Sequence, residues 1–95
     1  MWDIIRTETF LRAFKKYKKN KDFVGALEKK IQRLQEDPHT VGGELSGRLH
    51  GLHSTRLLKN FRLLFRIEEQ QRAVFLLGFD HRKFGYERFY VAQTF

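Results

Sequence analysis

Residues Phe61 to Tyr86 read FRLLFRIEEQQRAVFLLGFDHRKFGY, and this stretch decides the fold. Phe61, Leu63, Phe65 and Ile67 alternate with Arg62, Leu64, Arg66 and Glu68. A period of two with one apolar side is the signature of a half-buried strand. Glu69-Gln70-Gln71 is a polar turn, and Arg72 to Phe79 is a second strand, apolar on both faces and therefore placed inside the sheet. It ends abruptly in Asp80-His81-Arg82-Lys83. Arginines on one strand and a His-Arg-Lys cluster leaving the next can meet at one sheet edge, where they would grip a phosphodiester and move its protons. The stretch thus points towards RNA.

Working towards the N-terminus, Ser54 to Leu58 reads as a further strand, joined to the Phe61 strand by Lys59-Asn60. His39 to Ser46 reads as a loop punctuated by Gly42-Gly43. Val24, Leu27, Ile31 and Leu34 recur at the spacing of one helical face, with Asp22 as the expected cap and Pro38 as the stop. Thr7-Glu8-Thr9 suits the start of an earlier helix carrying Phe10, Leu11, Phe14 and Tyr17. Trp2 to Arg6 reads as a short strand. Strand, two helices and three strands joined by short turns make an α+β fold, with an N-terminal strand and a helical hairpin on a small, mostly antiparallel twisted sheet. Residues 1–95 form a single domain. The hairpin should cover one sheet face and leave the other concave and basic.

Composition narrows the function. The formal net charge is +8 on 95 residues, which favours a polyanionic partner. Cysteine is absent, so neither disulfides nor thiolate metal sites hold the fold. The four histidines have no recognisable metal-ligand spacing. No Gly-rich phosphate loop is present, and no cofactor or metal is expected. Residues 1–6 lack the apolar run of a signal peptide and no stretch is long enough to cross a bilayer, so a soluble cytoplasmic protein without a membrane partner is the expectation.

Three segments together carry a resemblance: Gly47-Arg48-Leu49-His50-Gly51-Leu52-His53-Ser54-Thr55-Arg56, then Asn60-Phe61-Arg62-Leu63-Leu64-Phe65-Arg66-Ile67, then Asp80-His81-Arg82-Lys83 with Tyr86. In order and spacing they resemble the RelE/ParE toxin superfamily of bacterial type II toxin–antitoxin systems. The resemblance implies a ribosome-dependent endoribonuclease that cleaves messenger RNA without a metal, together with a cognate antitoxin that assembles with the toxin and neutralises it. It matches Arg62 to the family's strand arginine, Arg82 to the arginine after the last strand and Tyr86 to the C-terminal aromatic. Some members carry lysines where this chain has His53, Thr55 and Arg56. Two other functions belong to the same superfamily: non-enzymatic inhibition of DNA gyrase, and RNA or protein binding without catalysis.

The residues fit RNA chemistry. Cleavage requires a base for the 2′-hydroxyl, an acid for the leaving 5′-oxygen and cations at the crowded phosphorus. Arg62 and Arg82 are the first phosphate-binding candidates and Arg56 the next, because a guanidinium binds two phosphate oxygens at once. His81 is the first proton-transfer candidate, with Asp80 to orient it, and His53 the second; the alternative for His81 is a hydrogen-bonded strand-end histidine. Tyr86 is either a base-stacking group or a core aromatic. His50 is a weaker candidate, and His39 reads as surface. Lys15, Lys18 and Lys19, with Lys59 and Lys83, would hold RNA backbone without reading sequence.

Overall fold

The computed structural model describes residues 1–45, 47 and 51–81, Asp80 by its backbone alone. Strand β1 (Asp3–Arg6) is followed by helices α1 (Glu8–Lys15) and α2 (Lys21–Glu36) and a single 3₁₀ turn, Pro38–Thr40. Four strands complete the described chain: β2 (Gly43–Glu44), β3 (His53–Leu57), β4 (Phe61–Glu68) and β5 (Ala73–His81). They form one five-stranded sheet in the order β1-β5-β4-β3-β2. β1 runs parallel to β5 and every other pair is antiparallel, so the expected α+β class and the interior placement of β5 both hold.

Local chemistry explains the helix ends. The Thr7 hydroxyl accepts from the Phe10 N–H at 3.3 Å and donates to the Leu76 carbonyl at 2.7 Å, so one side chain caps α1 and ties it to β5. Asn20, not Asp22, caps α2: its side-chain oxygen accepts from the Phe23 N–H at 3.1 Å. Asp22 lies within the first turn instead, where a carboxylate suits the helix dipole. α2 stops at Glu36, two residues before Pro38. Leu11, grouped with the apolar stripe of α1 on spacing alone, is 45% exposed.

The core lies between the helices and one sheet face. Phe10, Phe23, Leu27, Ile31 and Leu34 from the helices meet Leu57, Leu63, Phe65, Val74, Leu76 and Phe79 from the strands, with Phe14, Phe61 and Ile67 at its margin. The alternation of β4 therefore points its apolar side to the helices. Phe23 sits within 4.7 Å of the Phe79 ring, 4.9 Å of Tyr17 and 5.3 Å of Phe61, centroid to centroid, so the aromatic supply is concentrated in one cluster.

Two features differ from the sequence expectation. The opposite sheet face is not uniformly basic: Leu64 is fully buried there with Leu52, flanked by Leu45 and Leu77. Leu45, after β2, and Leu52, before β3, cover Leu64 on that face and remove its apolar surface from water. The second feature is a register shift between β4 and β5 at Leu64/Phe65: Leu64 pairs with Gly78 and Phe65 with Leu76, leaving Leu77 as the extra residue. This is a β-bulge, and it resets which residues of β5 face the helices.

Truncating the central ring tests this architecture. Phe23→Ala, at a side chain with no solvent exposure, is expected to destabilise the fold by about 3–5 kcal/mol, read from chemical denaturation. A loss below about 1 kcal/mol would show that the cluster is not the centre of the core.

Candidate nucleic-acid interface

Arg56 and Arg62 stand directly opposite each other across the β3–β4 pair. Residues paired in this way project to the same side of the sheet, here the side away from the helices, since Leu57, Leu63 and Phe61 take the helical side. Arg56 is exposed and Arg62 half-buried. Like charges at opposed positions repel, and among the described residues no carboxylate forms an ion pair with either. Two guanidiniums projecting from opposed positions on adjacent strands can accept a phosphate between them. Arg66, farther along the same face, is already engaged: its guanidinium lies 4.6 Å from the Phe75 ring centroid and 3.5 Å from the Glu68 carboxylate.

The arginine pair is one register step from the end of the hairpin, whose connection 58–60 carries exposed Lys59. The connection has three residues, because Leu57 rather than Leu58 pairs with Phe61. Lys15 ends α1, and Lys18 and Lys19 follow in the turn to α2; all three are exposed and belong to the helical layer rather than to the arginine face. Arg82, Lys83, Tyr86 and His50 lie outside the described residues.

Neither histidine candidate joins the arginines. His53, the second proton-transfer candidate, pairs with Phe65 on the helical side and its ring stacks on Phe65 at 5.5 Å, so it does not share the arginine face. Strand parity is the reason: Arg56 is an odd number of residues away, on the other face. His81 is the last residue of β5 and pairs with Phe61, its ring 5.5 Å from the Phe61 ring. The bulge at Leu77 is what turns His81 to this side and sets Asp80 opposite Arg62 in register.

The sequence reading missed the surroundings of these histidines. Glu44 of the two-residue strand β2 pairs with His53. His39, read as plain surface, binds Glu69 at 2.6 Å and packs edge-on against Trp2 at 5.6 Å. A two-residue strand has no periodicity to detect, and only the pairing of β2 with β3 reveals it. Among the described residues, no three His, Asp or Glu side chains are grouped to hold a metal ion, and no helix is long and apolar enough to cross a membrane.

The family model described as the ParE toxin of type II toxin–antitoxin systems matches residues 4–86. The chain belongs to that toxin family. The toxin is also similar to solved structures. One is the toxin–antitoxin complex RelBE2 from Mycobacterium tuberculosis, at 29% identity over 85% of this chain and 98% of that chain, with a TM-score of 0.72. A metal-bound toxin from Helicobacter pylori shares the fold at 21% identity, over 90% of this chain and 99% of that one, with a TM-score of 0.75. The intact E. coli RelBE toxin–antitoxin complex does so at 20% identity, over 85% and 96%, with a TM-score of 0.67. No curated protein sequence matches the chain.

The environment of His53 has a measurable consequence. Its Nδ1 is buried without a hydrogen-bond partner among the described residues, and burial holds its pKa below the ordinary imidazole value; Glu44 opposes the lowering and His39 adds to it. The fold therefore binds this proton more weakly than the unfolded chain does. As pH falls through the unfolded value of about 6.5, the unfolded state is protonated first and stability drops, levelling off below the folded pKa. His53→Phe keeps the stack on Phe65 and removes the titration. Thermal melts between about pH 7 and pH 5 should fall less steeply in that variant; an equal slope would contradict the assignment.

Proposed function

We propose that this toxin is an endoribonuclease that cleaves messenger RNA on the ribosome and is neutralised by a cognate antitoxin. The observation that carries the reading is the Arg56–Arg62 pair, opposed across two strands, turned away from the core and without a carboxylate partner among the described residues. A pair of this kind suits a phosphodiester. In the proposed step the 2′-oxygen attacks phosphorus as it loses its proton, and the 5′-oxygen leaves as it gains one. The guanidiniums stabilise the charge gathering on the non-bridging oxygens. No metal has a part in this step.

Arg82 and Tyr86 are proposed to complete the site, Arg82 as a further phosphate ligand and Tyr86 as a stacking or proton-donating group. His81 is kept as a proton-transfer candidate at the end of β5, whereas His53, against Phe65, is not. Lys15, Lys18, Lys19, Lys59 and Lys83 are proposed to hold ribosomal RNA. Membership of the RelE/ParE superfamily supports the reading, as does the likeness to two toxin–antitoxin complexes.

A second reading has its own support. The matching family model is that of the ParE toxin, ParE-like inhibition of DNA gyrase is the alternative function, and both described histidine candidates turn away from the arginines. An inhibitor that only binds needs no proton-transfer group there.

One set of measurements separates the two. Arg62→Ala is expected to lower cleavage of ribosome-bound messenger RNA by about 10²–10³-fold, with the melting temperature little changed, because Arg62 lies outside the hydrophobic core. Arg56→Ala should act in the same direction. Wild-type toxin that inhibits gyrase supercoiling and cuts no RNA would establish the second reading, and full cleavage by the Arg56/Arg62 double variant would overturn the first.

A further inference from the structure

The open sheet face carries a second grouping, away from the arginine pair. Arg66 of β4 pairs in register with Phe75 of β5, which pairs in turn with Ile5 of β1. Laterally paired residues share a side of the sheet. Phe65, Val74 and Ile4 take the helical side, so Arg66, Phe75 and Ile5 form one row on the arginine face. The Arg66 guanidinium carbon lies 4.6 Å over the centroid of the Phe75 ring, and the Glu68 carboxylate holds the same group at 3.5 Å. Arg66 is exposed, Phe75 half-buried and Ile5 38% exposed. None of the three belongs to a core cluster.

Charge changes sign along this face. Arg56 and Arg62 hold one row. Four residues farther along β4 stands Arg66, whose charge Glu68 already offsets. The row beyond it brings Glu68, Ala73 and Asp3 into register, two carboxylates with no cation between them. A phosphate is therefore attracted at the first row and repelled at the last. The row between suits neither charge. It offers a guanidinium held against a ring by the ring's quadrupole and fixed from the side by a carboxylate, with an exposed apolar residue at its edge. Such a unit is preorganised for a flat, uncharged, polarisable group.

We infer that Arg66 and Phe75, with Ile5 at their edge, form a platform on which one nucleobase of the bound RNA stacks. Bases stack on aromatic rings and on guanidinium planes alike. The inference rests on the endoribonuclease reading and adds to it a place for a base. Arg62 and Arg66 are about 13 Å apart along β4. That is farther than a base reaches from its own phosphate, so the stacked base belongs to a nucleotide beyond the scissile one. Leu64 lies between the two rows, covered by Leu45 and Leu52, and the intervening nucleotide passes over that apolar cover. Stacking of this kind reads no hydrogen bonds, so the platform favours a larger ring surface, adenine over uracil, without selecting a codon.

The test uses the purified full chain and two short RNA oligomers of equal charge, 2′-O-methylated so that they cannot be cut. One carries adenine throughout and the other is abasic. In NMR spectra both oligomers should shift the amide signals of Arg56 and Arg62. The adenine oligomer alone should move the Phe75 ring protons and the Arg66 Nε–H upfield, as a stacked ring does. Arg66→Lys keeps the charge beside Glu68 and loses the plane; Phe75→Leu keeps an apolar side chain and loses the ring. Each should weaken binding of the adenine oligomer roughly tenfold and leave the abasic one unchanged, with the melting temperature little altered because neither residue is in the core. Shifts at Arg56 and Arg62 without shifts at Arg66 and Phe75 overturn the platform alone, as does an Arg66→Lys variant that binds both oligomers like wild type. No shift at any of the four residues overturns both the platform and the phosphate site. Both sets of shifts in a wild type that cuts no ribosome-bound messenger RNA uphold the platform and overturn the endoribonuclease reading.

Discussion

β5 is hydrogen-bonded along both edges, to β1 in parallel and to β4 in antiparallel, and the rest of the structure depends on that double pairing. A parallel neighbour cannot be reached through a tight turn, so the chain between β1 and β5 has to leave the sheet and return. The helical hairpin occupies that excursion. Thr7 fixes its start to the Leu76 carbonyl of β5, and the Trp2 N–H bonds the Gln35 carbonyl near its end at 2.9 Å. With both ends of the hairpin tied at one side of the sheet, the helical layer can cover only one face. The arginine pair follows from this, because it lies on the face the helices cannot reach.

Arginine predominates on the open sheet face and lysine on the helical hairpin, which also carries Arg12 and Arg33. Arginines hold the open sheet face, at Arg56, Arg62 and Arg66, while Lys15, Lys16, Lys18, Lys19, Lys21 and Lys29 hold the helical hairpin. The division matches the chemistry of each. A planar fork gains from the fixed spacing that two strands provide, whereas an ammonium on a long flexible stem suits a looser contact. The same net charge therefore serves a site with geometry and a surface with reach.

Much of the architecture was legible because its signals are periodic. The alternation of Phe61 to Glu68 set the facing of β4 correctly, and Phe23, Leu27, Ile31 and Leu34 form the buried stripe of α2. Single-residue choices were not legible. Asn20 and Asp22 are both good caps, and only the hydrogen bond to Phe23 distinguishes them. β2 is too short to have a pattern. Leu64 was counted with the polar side of β4, and its burial depends on Leu45, Leu52 and Leu77, which are distant in sequence. Within the candidate site, the arginine facing could be read from parity, since Arg62 lies within the strongest alternation in the chain. The histidine facing could not, because His53 lies at the start of its strand and His81 lies beyond the bulge.

That bulge acts as a phase switch. Val74 and Leu76 face the helices, so unbroken alternation would bring Gly78 and Asp80 to the core side and turn Phe79 and His81 towards the arginines. The extra residue at Leu77 inverts the assignment: Phe79 enters the core and Asp80 comes into register with Arg62. Were the strand regular from Leu76 onwards with Leu77 kept, Phe79 would stand opposite Arg62 and His81 would share its face, with every motif intact. Two chains with the same Asp-His-Arg-Lys string can thus differ in which of those residues shares the arginine face, and the difference is carried by the pairing of a leucine.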